Sequence, residues 1–165
     1  MKVLVISDTH GYIDPVIRYM KKYPMLFDRV WHLGDHFKDA LGIASATGCD
    51  LIGVKGNCDS HANANEDEIL EVSGKRVLLT HGHLYGVKHS LLRLHLKGLE
   101  DHLDLICFGH THMATQTEED GVILFNPGSA SLPRLGGYPT IGLLTISENG
   151  IKTTIIPLLE SQSSE

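Results

Sequence analysis

The sequence lacks the features that mark several specialised classes of protein. It has only three cysteines, none of them in a C-x-x-C pair: Cys49, Cys58 and Cys107. Neither a disulfide framework nor a thiolate zinc site is therefore indicated, and reduced thiols in a cytoplasm are the expectation. The apolar stretch at residues 3–6 is too short for a signal peptide, and no apolar run is long enough to cross a bilayer. We expect a soluble, cytoplasmic protein.

The sequence also lacks a basic cluster. No run of Lys and Arg exceeds two residues, as at Lys21-Lys22, and the formal net charge is −6. Such a surface repels polyanions, so a dedicated nucleic-acid binder is not expected. A small anionic substrate stays compatible with this charge, because a bound metal ion can supply local positive charge.

The composition is that of an ordinary globular protein. Hydrophobic residues make up 42% of the chain and charged residues 21%, which gives no support to a disordered, collagen-like or repeat protein. A chain of 165 residues fits one domain. We expect a single domain over residues 1–158, followed by a polar C-terminal tail at 159–165.

The first half of the chain alternates between predicted strands and helices. Its short apolar runs predict strands at residues 3–6, 29–33 and 51–54. Asp14-Pro15 is interpreted as an N-cap followed by a proline in the first turn, which predicts a helix to about Lys22. A second helix is predicted over residues 39–47, before Gly48. This order predicts a parallel sheet that binds ligands beyond the carboxyl ends of its strands.

The second half of the chain predicts a second sheet. Two strands, at residues 68–72 and 77–80, flank a turn at Ser73-Gly74-Lys75, which is typical of a hairpin. A helix is predicted over residues 91–103, although Gly98 weakens it. Further strands are predicted at residues 105–108, 122–125, 140–146 and 151–156. Two sheets are therefore favoured over one.

Side chains that can bind metals follow the ends of five predicted strands. The five segments are Asp8-Thr9-His10, Gly34-Asp35, Gly56-Asn57, His81-Gly82-His83 and Gly109-His110-Thr111-His112. Neutral imidazoles together with carboxylates suit first-row transition metals. Seven donor side chains in these segments are too many for one ion, whereas two ions that share a bridging ligand would use them all. The seven are Asp8, His10, Asp35, Asn57, His81, His110 and His112. The sequence therefore predicts a dinuclear metal centre.

The five segments, taken in order, carry a resemblance to a known family. D-x-H, G-D, G-N-x-D, H-G-H and G-H-x-H over residues 8–112 resemble the motifs of the calcineurin-like metallophosphoesterase superfamily. Asn126-Pro127-Gly128-Ser129 and the short length resemble its small YfcE-like phosphodiesterase branch. The resemblance covers nearly the whole chain. It implies an α/β fold, a four-layer α/β/β/α sandwich of two mixed sheets flanked by helices.

The resemblance also implies the ligands, the ions and the reaction. Asp35 would bridge two divalent ions, the first held by Asp8, His10 and His112 and the second by Asn57, His81 and His110. Manganese is typical of the family, with iron, zinc, cobalt and nickel as alternatives among which the sequence does not choose. The implied reaction is hydrolysis of phosphodiester bonds, with a metal-bridging hydroxide as the nucleophile.

Residues beside the predicted ligands have predicted roles in catalysis. Cys58 stands where many superfamily members have a histidine that protonates the leaving group, and a thiol is a weak donor. We therefore expect a preference for good leaving groups unless His83 or water supplies the proton. Asp59 is a candidate to orient an imidazole. Asn57, His83 and Arg134 are candidate phosphate contacts, although Arg134 is also readable as an exposed loop charge.

The remaining histidines are predicted to be surface or packing residues: His32, His36, His61, His89, His95 and His102. His36 and His61 are expected nearest to the site. Asn126-Pro127-Gly128-Ser129 is interpreted as a mainly structural turn with its backbone towards the site, and Cys107 as a buried core thiol.

Two other functions compete with the phosphodiesterase. A catalytically silent protein-binding scaffold, as in the retromer subunit that resembles this branch, would be free to lose metal ligands, whereas all seven positions here keep donor side chains. A phosphomonoesterase is disfavoured by Cys58. The expected partner is a small phosphodiester, without nucleic-acid or membrane binding, and a homodimer is expected because small YfcE-like relatives often associate.

Overall fold

The computed structural model describes residues 1–159 and contains two five-stranded mixed sheets. Sheet A has the strand order β10-β9-β1-β2-β3 and sheet B the order β4-β5-β6-β8-β7. The strands of sheet A are β1 (Lys2–Ile6), β2 (Arg29–His32), β3 (Leu51–Gly53), β9 (Thr140–Ser147) and β10 (Gly150–Pro157). Those of sheet B are β4 (Asp67–Val72), β5 (Lys75–Thr80), β6 (Leu105–Cys107), β7 (Ala114–Glu119) and β8 (Val122–Pro127). Residues 160–165 of the predicted tail lie outside the described residues.

The two sheets pack face to face, and side chains alternate between their two surfaces. On β1, Val3 and Val5 belong to the core between the sheets, which also contains Leu79 and Phe125 of sheet B. Their neighbours Leu4 and Ile6 point to the opposite side of sheet A. Because β1 is buried on both faces, it requires the continuous apolar run that the sequence shows.

Three helices cover the outer faces of the sheets. Helices α1 (Asp14–Lys22) and α2 (Phe37–Thr47) pack on sheet A, and α3 (Leu92–Glu100) packs on sheet B. The predicted four-layer sandwich is therefore confirmed. Within α3, a Cβ at Gly98 would lie 2.7 Å from Val122 Cγ1, so glycine allows the helix to approach β8 closely. No helix in residues 1–159 combines the length and apolar character of a membrane span.

Several element boundaries differ from the prediction. The N-cap of α1 is Ile13 rather than Asp14, and it makes no side-chain capping bond. α3 ends at Glu100, where a helix to residue 103 was expected. Ser73 and Gly74 both have positive φ and form a two-residue hairpin turn, which places Lys75 in β5. β7 was not predicted as a separate strand, because its residues are mostly exposed and show no apolar alternation.

The topology brings five loops to one edge of the sandwich. β1, β2 and β3 run parallel in sheet A, and β5 and β6 run parallel in sheet B. The segments that follow these strands carry Asp8, Asp35, Asn57, His81 and His110. The predicted donor residues therefore lie at the carboxyl ends of parallel strands in both sheets.

Candidate metal centre

Two groups of side chains that could hold a metal ion meet at this edge. Each has ligand atoms within 4.8 Å of one another: Asp8, His10, Asp35 and His112 form the first group, and Asp35, His81 and His110 form the second. Asp35 is common to both. Six of the seven predicted donors are thus brought together in the predicted partition.

Asp35 presents one carboxylate oxygen to each group. Its Oδ2 lies 3.8 Å from His10 Nε2, and its Oδ1 lies 3.4 Å from His81 Nε2. The backbone N–H of Cys58 donates to Oδ1 at 3.0 Å. Burial raises the pKa of Asp35, but the hydrogen bond and charge of His81, with the contact to Cys58, outweigh it and bring the pKa well below its usual value. Asp35 is therefore an anion in contact with both groups.

Asp8 is fully buried, with one oxygen committed to hydrogen bonds and one facing the cluster. Its Oδ2 accepts from Ser7 Oγ at 2.5 Å and from His110 N at 3.1 Å. Its Oδ1 lies 3.2 Å from His112 Nε2 but has no aligned hydrogen bond. A buried carboxylate oxygen without a donor is costly in a metal-free protein, and a cation would satisfy it.

The imidazoles face each other in two pairs. His10 Nε2 lies 3.3 Å from His112 Nε2, and His81 Nε2 lies 3.1 Å from His110 Nδ1. Two facing ring nitrogens repel each other unless a proton or a cation lies between them. This arrangement fits two metal ions, each between a pair of imidazoles.

The environment gives each pair one ring that holds a proton readily and one that does not. The Asp8 carboxylate, whose Oδ1 lies 3.2 Å from His112 Nε2, raises the pKa of His112, whereas burial lowers the pKa of His10. Burial lowers the pKa of His81, but nearby carboxylates raise it more, and burial lowers the pKa of His110 to about 4. The two rings of each pair therefore differ in their affinity for a proton, and metal binding would displace a proton held by the more basic ring.

Backbone carbonyls fix the orientation of two of these rings. His81 Nδ1 donates to Leu33 O at 2.7 Å, and His112 Nδ1 donates to Leu132 O at 2.7 Å. Each bond turns Nε2 of its ring towards the cluster. Asp59 was expected in such a role, and this expectation is wrong. Its carboxylate accepts from the backbone N–H groups of Phe37 and Gly56 at 2.7 and 2.8 Å, and so holds loops rather than an imidazole.

The backbone at the site is held in an unusual conformation. Five residues of the two groups have positive φ: Asp8 (53°), His10 (46°), Asp35 (54°), His110 (67°) and His112 (58°). This left-handed conformation is disfavoured for residues with a side chain and persists only where surrounding contacts enforce it. Such a concentration of strain marks a functional site.

Two glycines allow the loops to approach the carboxylates. A Cβ at Gly56 would lie 2.2 Å from Asp35 Oδ1. A Cβ at Gly109 would lie 2.0 Å from Ser7 Oγ and 2.9 Å from Asp8 Oδ2. Any larger residue would therefore displace a carboxylate of the cluster.

The Asn126-Pro127-Gly128-Ser129 segment supports the loops from behind. Asn126 Nδ2 donates to Gly109 O at 2.9 Å and to Thr111 Oγ1 at 3.1 Å. Ser129 Oγ donates to the carbonyl oxygen of Asp8 at 2.8 Å. These contacts agree with a structural role for the segment close to the site.

A buried polar network behind the centre was not anticipated from the sequence. His32 is fully buried and accepts at Nδ1 from Gly34 N at 3.3 Å, so its Nε2 carries the proton towards Thr9 Oγ1, 3.2 Å away. Thr9 Oγ1 donates to Asp39 Oδ2 at 2.8 Å, and Gly11 N donates to the same oxygen at 2.6 Å. The network ties the loops after β1 and β2 together. The only sequence signal was the position of His32 in a buried strand.

Other predicted site residues lie around the centre. Asn57 and Cys58 are exposed, and the contact of the Asn57 side chain is Nδ2 to Cys58 Sγ at 3.5 Å. The ring of His83 lies 5.5 Å from that of His81, and its buried Nδ1 has no hydrogen bond. Arg134 is exposed, and its backbone N–H donates to His112 O at 3.3 Å. The structure therefore places these residues at the rim without giving them ligand contacts.

A third group of donors, on the far side of sheet B, fits a hydrogen bond better than a metal. It consists of His95, Glu119 and Asp120. His95 Nε2 lies 3.2 Å from Asp120 Oδ2, and its buried Nδ1 has no partner. Metal binding at Nε2 would require Nδ1 to carry an unsatisfied buried proton, whereas metal-bound imidazoles normally donate that proton to an acceptor. His95 is a packing residue, as expected.

Comparison with known proteins agrees with the site geometry. Residues 1–149 match the model of the calcineurin-like phosphoesterase superfamily domain. The chain is 34% identical to the probable metallophosphoesterase YsnB of Bacillus subtilis, over 90% of this chain and 86% of that protein. It is 27% identical to the phosphodiesterase YfcE of Escherichia coli, over 87% of each chain.

A solved structure extends the agreement to three dimensions. A Streptococcus pneumoniae protein, described as a predicted phosphoesterase, is 25% identical and superposes with a TM-score of 0.81, covering 95% of this chain and 89% of that one. The chain therefore belongs to the calcineurin-like metallophosphoesterases, among the small phosphoesterases similar to YfcE and YsnB.

Proposed function

We propose that this protein is a phosphodiesterase with two divalent metal ions bridged by Asp35. The observation that carries the proposal is the position of Asp35, whose two oxygens face the two donor groups separately. One ion would be held by Asp8, His10 and His112. The other would be held by His81, His110 and Asn57, whose amide would have to turn inward from Cys58.

The charge of the ligands suits an anionic substrate. Two divalent ions contribute +4, and Asp8 and Asp35 contribute −2, so that even with a bound hydroxide the centre stays near +1. When bound, such ions orient a phosphoryl group and lower the pKa of a coordinated water to roughly 7, which makes it a nucleophile at neutral pH. No side chain of the protein then has to act as the nucleophile.

Residues at the rim would bind the substrate and handle the leaving group. Asn57, His83 and Arg134 are the proposed phosphate contacts. Burial lowers the pKa of His83, so that its ring is mostly unprotonated at neutral pH and has no proton to give. Burial and the charge of Asp35 raise the pKa of the Cys58 thiol, which therefore holds its proton. Neither group is therefore a strong proton donor. The enzyme is expected to favour esters with good leaving groups.

The identity of the metals is a separate part of the proposal. The nitrogen and oxygen donors of the cluster suit several first-row ions, and manganese is proposed because it is typical of the family, with iron, zinc, cobalt or nickel as alternatives. The scaffold alternative gains no support, since the donor groups are intact. No specific observation favours the monoesterase alternative. The name of YfcE supports action on phosphodiesters.

The proposal is tested by elemental analysis together with hydrolysis of bis(p-nitrophenyl) phosphate, with and without added manganese. We expect two ions per chain and metal-dependent release of p-nitrophenolate. Metal-loaded protein without activity would favour the scaffold, and activity on p-nitrophenyl phosphate alone would favour the monoesterase.

A further inference from the structure

A cavity of about 340 Å³ opens beside the metal centre. It is lined by His36 and Lys38, at the start of α2, and by the loop at residues 58–62. Its volume lies at the lower end of the range for small-molecule sites. Cys58 and Asp59 of this wall belong to the G-N-x-D motif, whereas Lys38 and His61 lie outside the motifs of the metal centre.

Two contacts connect this cavity directly to the centre. The ring of His36 packs edge-on against the ring of His10, with centroids 5.2 Å apart. Cys58 also lines the cavity, and its backbone N–H donates to Asp35 Oδ1. The cavity therefore adjoins the two donor groups of the metal centre.

The side chains of the wall that are free to bind a ligand are donors. Lys38 is exposed and makes no salt bridge within residues 1–159, and the ring of His61 is exposed and without a hydrogen bond in the same part of the chain. Asp59 is the one acid that lines the cavity, and both its oxygens accept from backbone N–H groups. The available charge in the wall is therefore the ammonium of Lys38.

We propose that this cavity binds a second anionic group of the substrate, with Lys38 as its main contact and His61 as a supporting donor. The substrate class would be phosphodiesters in which one arm carries a further phosphate. The proposal rests on the proposed phosphodiesterase function, because it takes the metal centre as the place where the diester phosphate binds. A lysine suits this task as a mobile point charge.

Binding to the metal-loaded protein gives a test that does not require turnover. The probes are thymidine 3′,5′-bisphosphate and thymidine 5′-monophosphate, measured by titration calorimetry. We expect the bisphosphate to bind about tenfold more tightly, as one charge-assisted hydrogen bond would provide. Lys38→Ala should remove this preference, and His61→Ala should reduce it. Lys152→Ala, on the exposed side of β10, should leave it unchanged.

Hydrolysis gives the second test, with two substrates that share one leaving group. Thymidine 3′-phosphate 5′-(p-nitrophenyl phosphate) and thymidine 5′-(p-nitrophenyl phosphate) differ only in the extra phosphate. The wild-type ratio of their kcat/KM values should be about ten, through KM, and should fall towards one in Lys38→Ala. Equal kcat/KM values for the two substrates in the wild type would overturn the proposal. So would a ratio of kcat/KM values that changes to the same extent in Lys38→Ala and in Lys152→Ala.

The outcomes separate this inference from the function on which it rests. If bis(p-nitrophenyl) phosphate is hydrolysed but the bisphosphate has no advantage in binding, only the cavity assignment fails. If no diester is hydrolysed but the preference for the bisphosphate depends on Lys38, the cavity assignment holds and the phosphodiesterase function fails.

Discussion

Ser129 Oγ donates a hydrogen bond of 2.8 Å to the backbone carbonyl oxygen of Asp8, although 121 positions separate the two residues. Asp8 has a positive φ of 53°, so its backbone needs such a contact to stay in place. The same hydroxyl accepts from the backbone N–H groups of Ser131 and Leu132 at 3.2 and 2.8 Å. Ser129 thereby links the loop at residues 129–132 to the loop that carries Asp8.

Ser129→Ala is expected to weaken metal binding about 10–100-fold, the usual cost of removing a residue that positions a ligand. It should also lower the free energy of unfolding by about 1–3 kcal/mol, because the backbone N–H groups of Ser131 and Leu132 lose their acceptor, although Asp8 O keeps the hydrogen bond from Ser131 Oγ. Manganese titration and thermal unfolding in the presence of a chelator measure the two effects. Ser147→Ala removes an exposed hydroxyl that bonds to Gly150 O and should change neither. Wild-type manganese affinity in Ser129→Ala would contradict the positioning role.

Asp35→Asn is expected to abolish hydrolysis of bis(p-nitrophenyl) phosphate. An amide offers one oxygen, and its NH₂ group would face one of the two ions, so a shared ligand would be lost. Elemental analysis of the variant should show fewer than two ions per chain. Because Asp35 is only 3% exposed, circular dichroism should accompany the assay.

His95→Ala is the matched control for Asp35→Asn. His95 is buried on the far side of sheet B and is bonded to Asp120, so its loss should lower the melting temperature but leave the activity of the folded enzyme intact. Equal losses of activity in both variants would undermine the bridging assignment.

The sequence predicts the layers of this fold well, because burial leaves a pattern in the residues. Strand β1 is buried on both faces and shows an unbroken apolar run, whereas the exposed edge strand β7 shows none and escaped prediction. The donor residues were predictable for a related reason. Each lies in the loop that follows a strand, and the topology of parallel strands brings such loops together.

The supporting contacts could not be predicted, because they depend on pairs that are distant in the chain. Thr9 meets Asp39 across 30 positions, and Asp59 turns to the backbone of Phe37 rather than to an imidazole. A side chain with several polar neighbours has several possible hydrogen-bond partners, and the local sequence does not show which of them it takes. His32 was interpreted as a surface or packing residue for the same reason.

Cys58→His is expected to raise turnover of phosphodiesters with poor leaving groups. The Cys58 side chain is exposed at the rim, and its backbone N–H donates to Asp35 Oδ1, so a larger ring has room there while that backbone bond is kept. General acid catalysis typically contributes about 10²–10⁴-fold, and a gain towards the lower end is expected. The measurement compares methyl and p-nitrophenyl diesters in both proteins. An equal change for both leaving groups would remove the support for this account of Cys58.

His32 should make the stability of the metal-free protein depend on pH. Burial lowers its pKa from 6.5 to about 4, so the fold favours the neutral ring, which accepts from Gly34 N. The contribution of the neutral His32 ring to the free energy of unfolding is complete above pH 6.5 and is lost as the pH falls towards 4. Over this range the unfolded chain binds a proton that the folded protein excludes. The free energy of unfolding should fall by about 1 kcal/mol per pH unit through this group.

His32→Asn keeps an acceptor near Gly34 but cannot titrate, so its unfolding free energy should fall less steeply than that of the wild type between pH 6.5 and 4. Urea unfolding with a chelator, at half-unit pH steps, measures the difference in slope. Other titrating groups are common to both proteins and cancel. His89→Asn removes an exposed ring and should keep the wild-type slope. Parallel curves for wild type and His32→Asn would show that the buried ring takes up its proton as readily in the folded protein as in the unfolded chain.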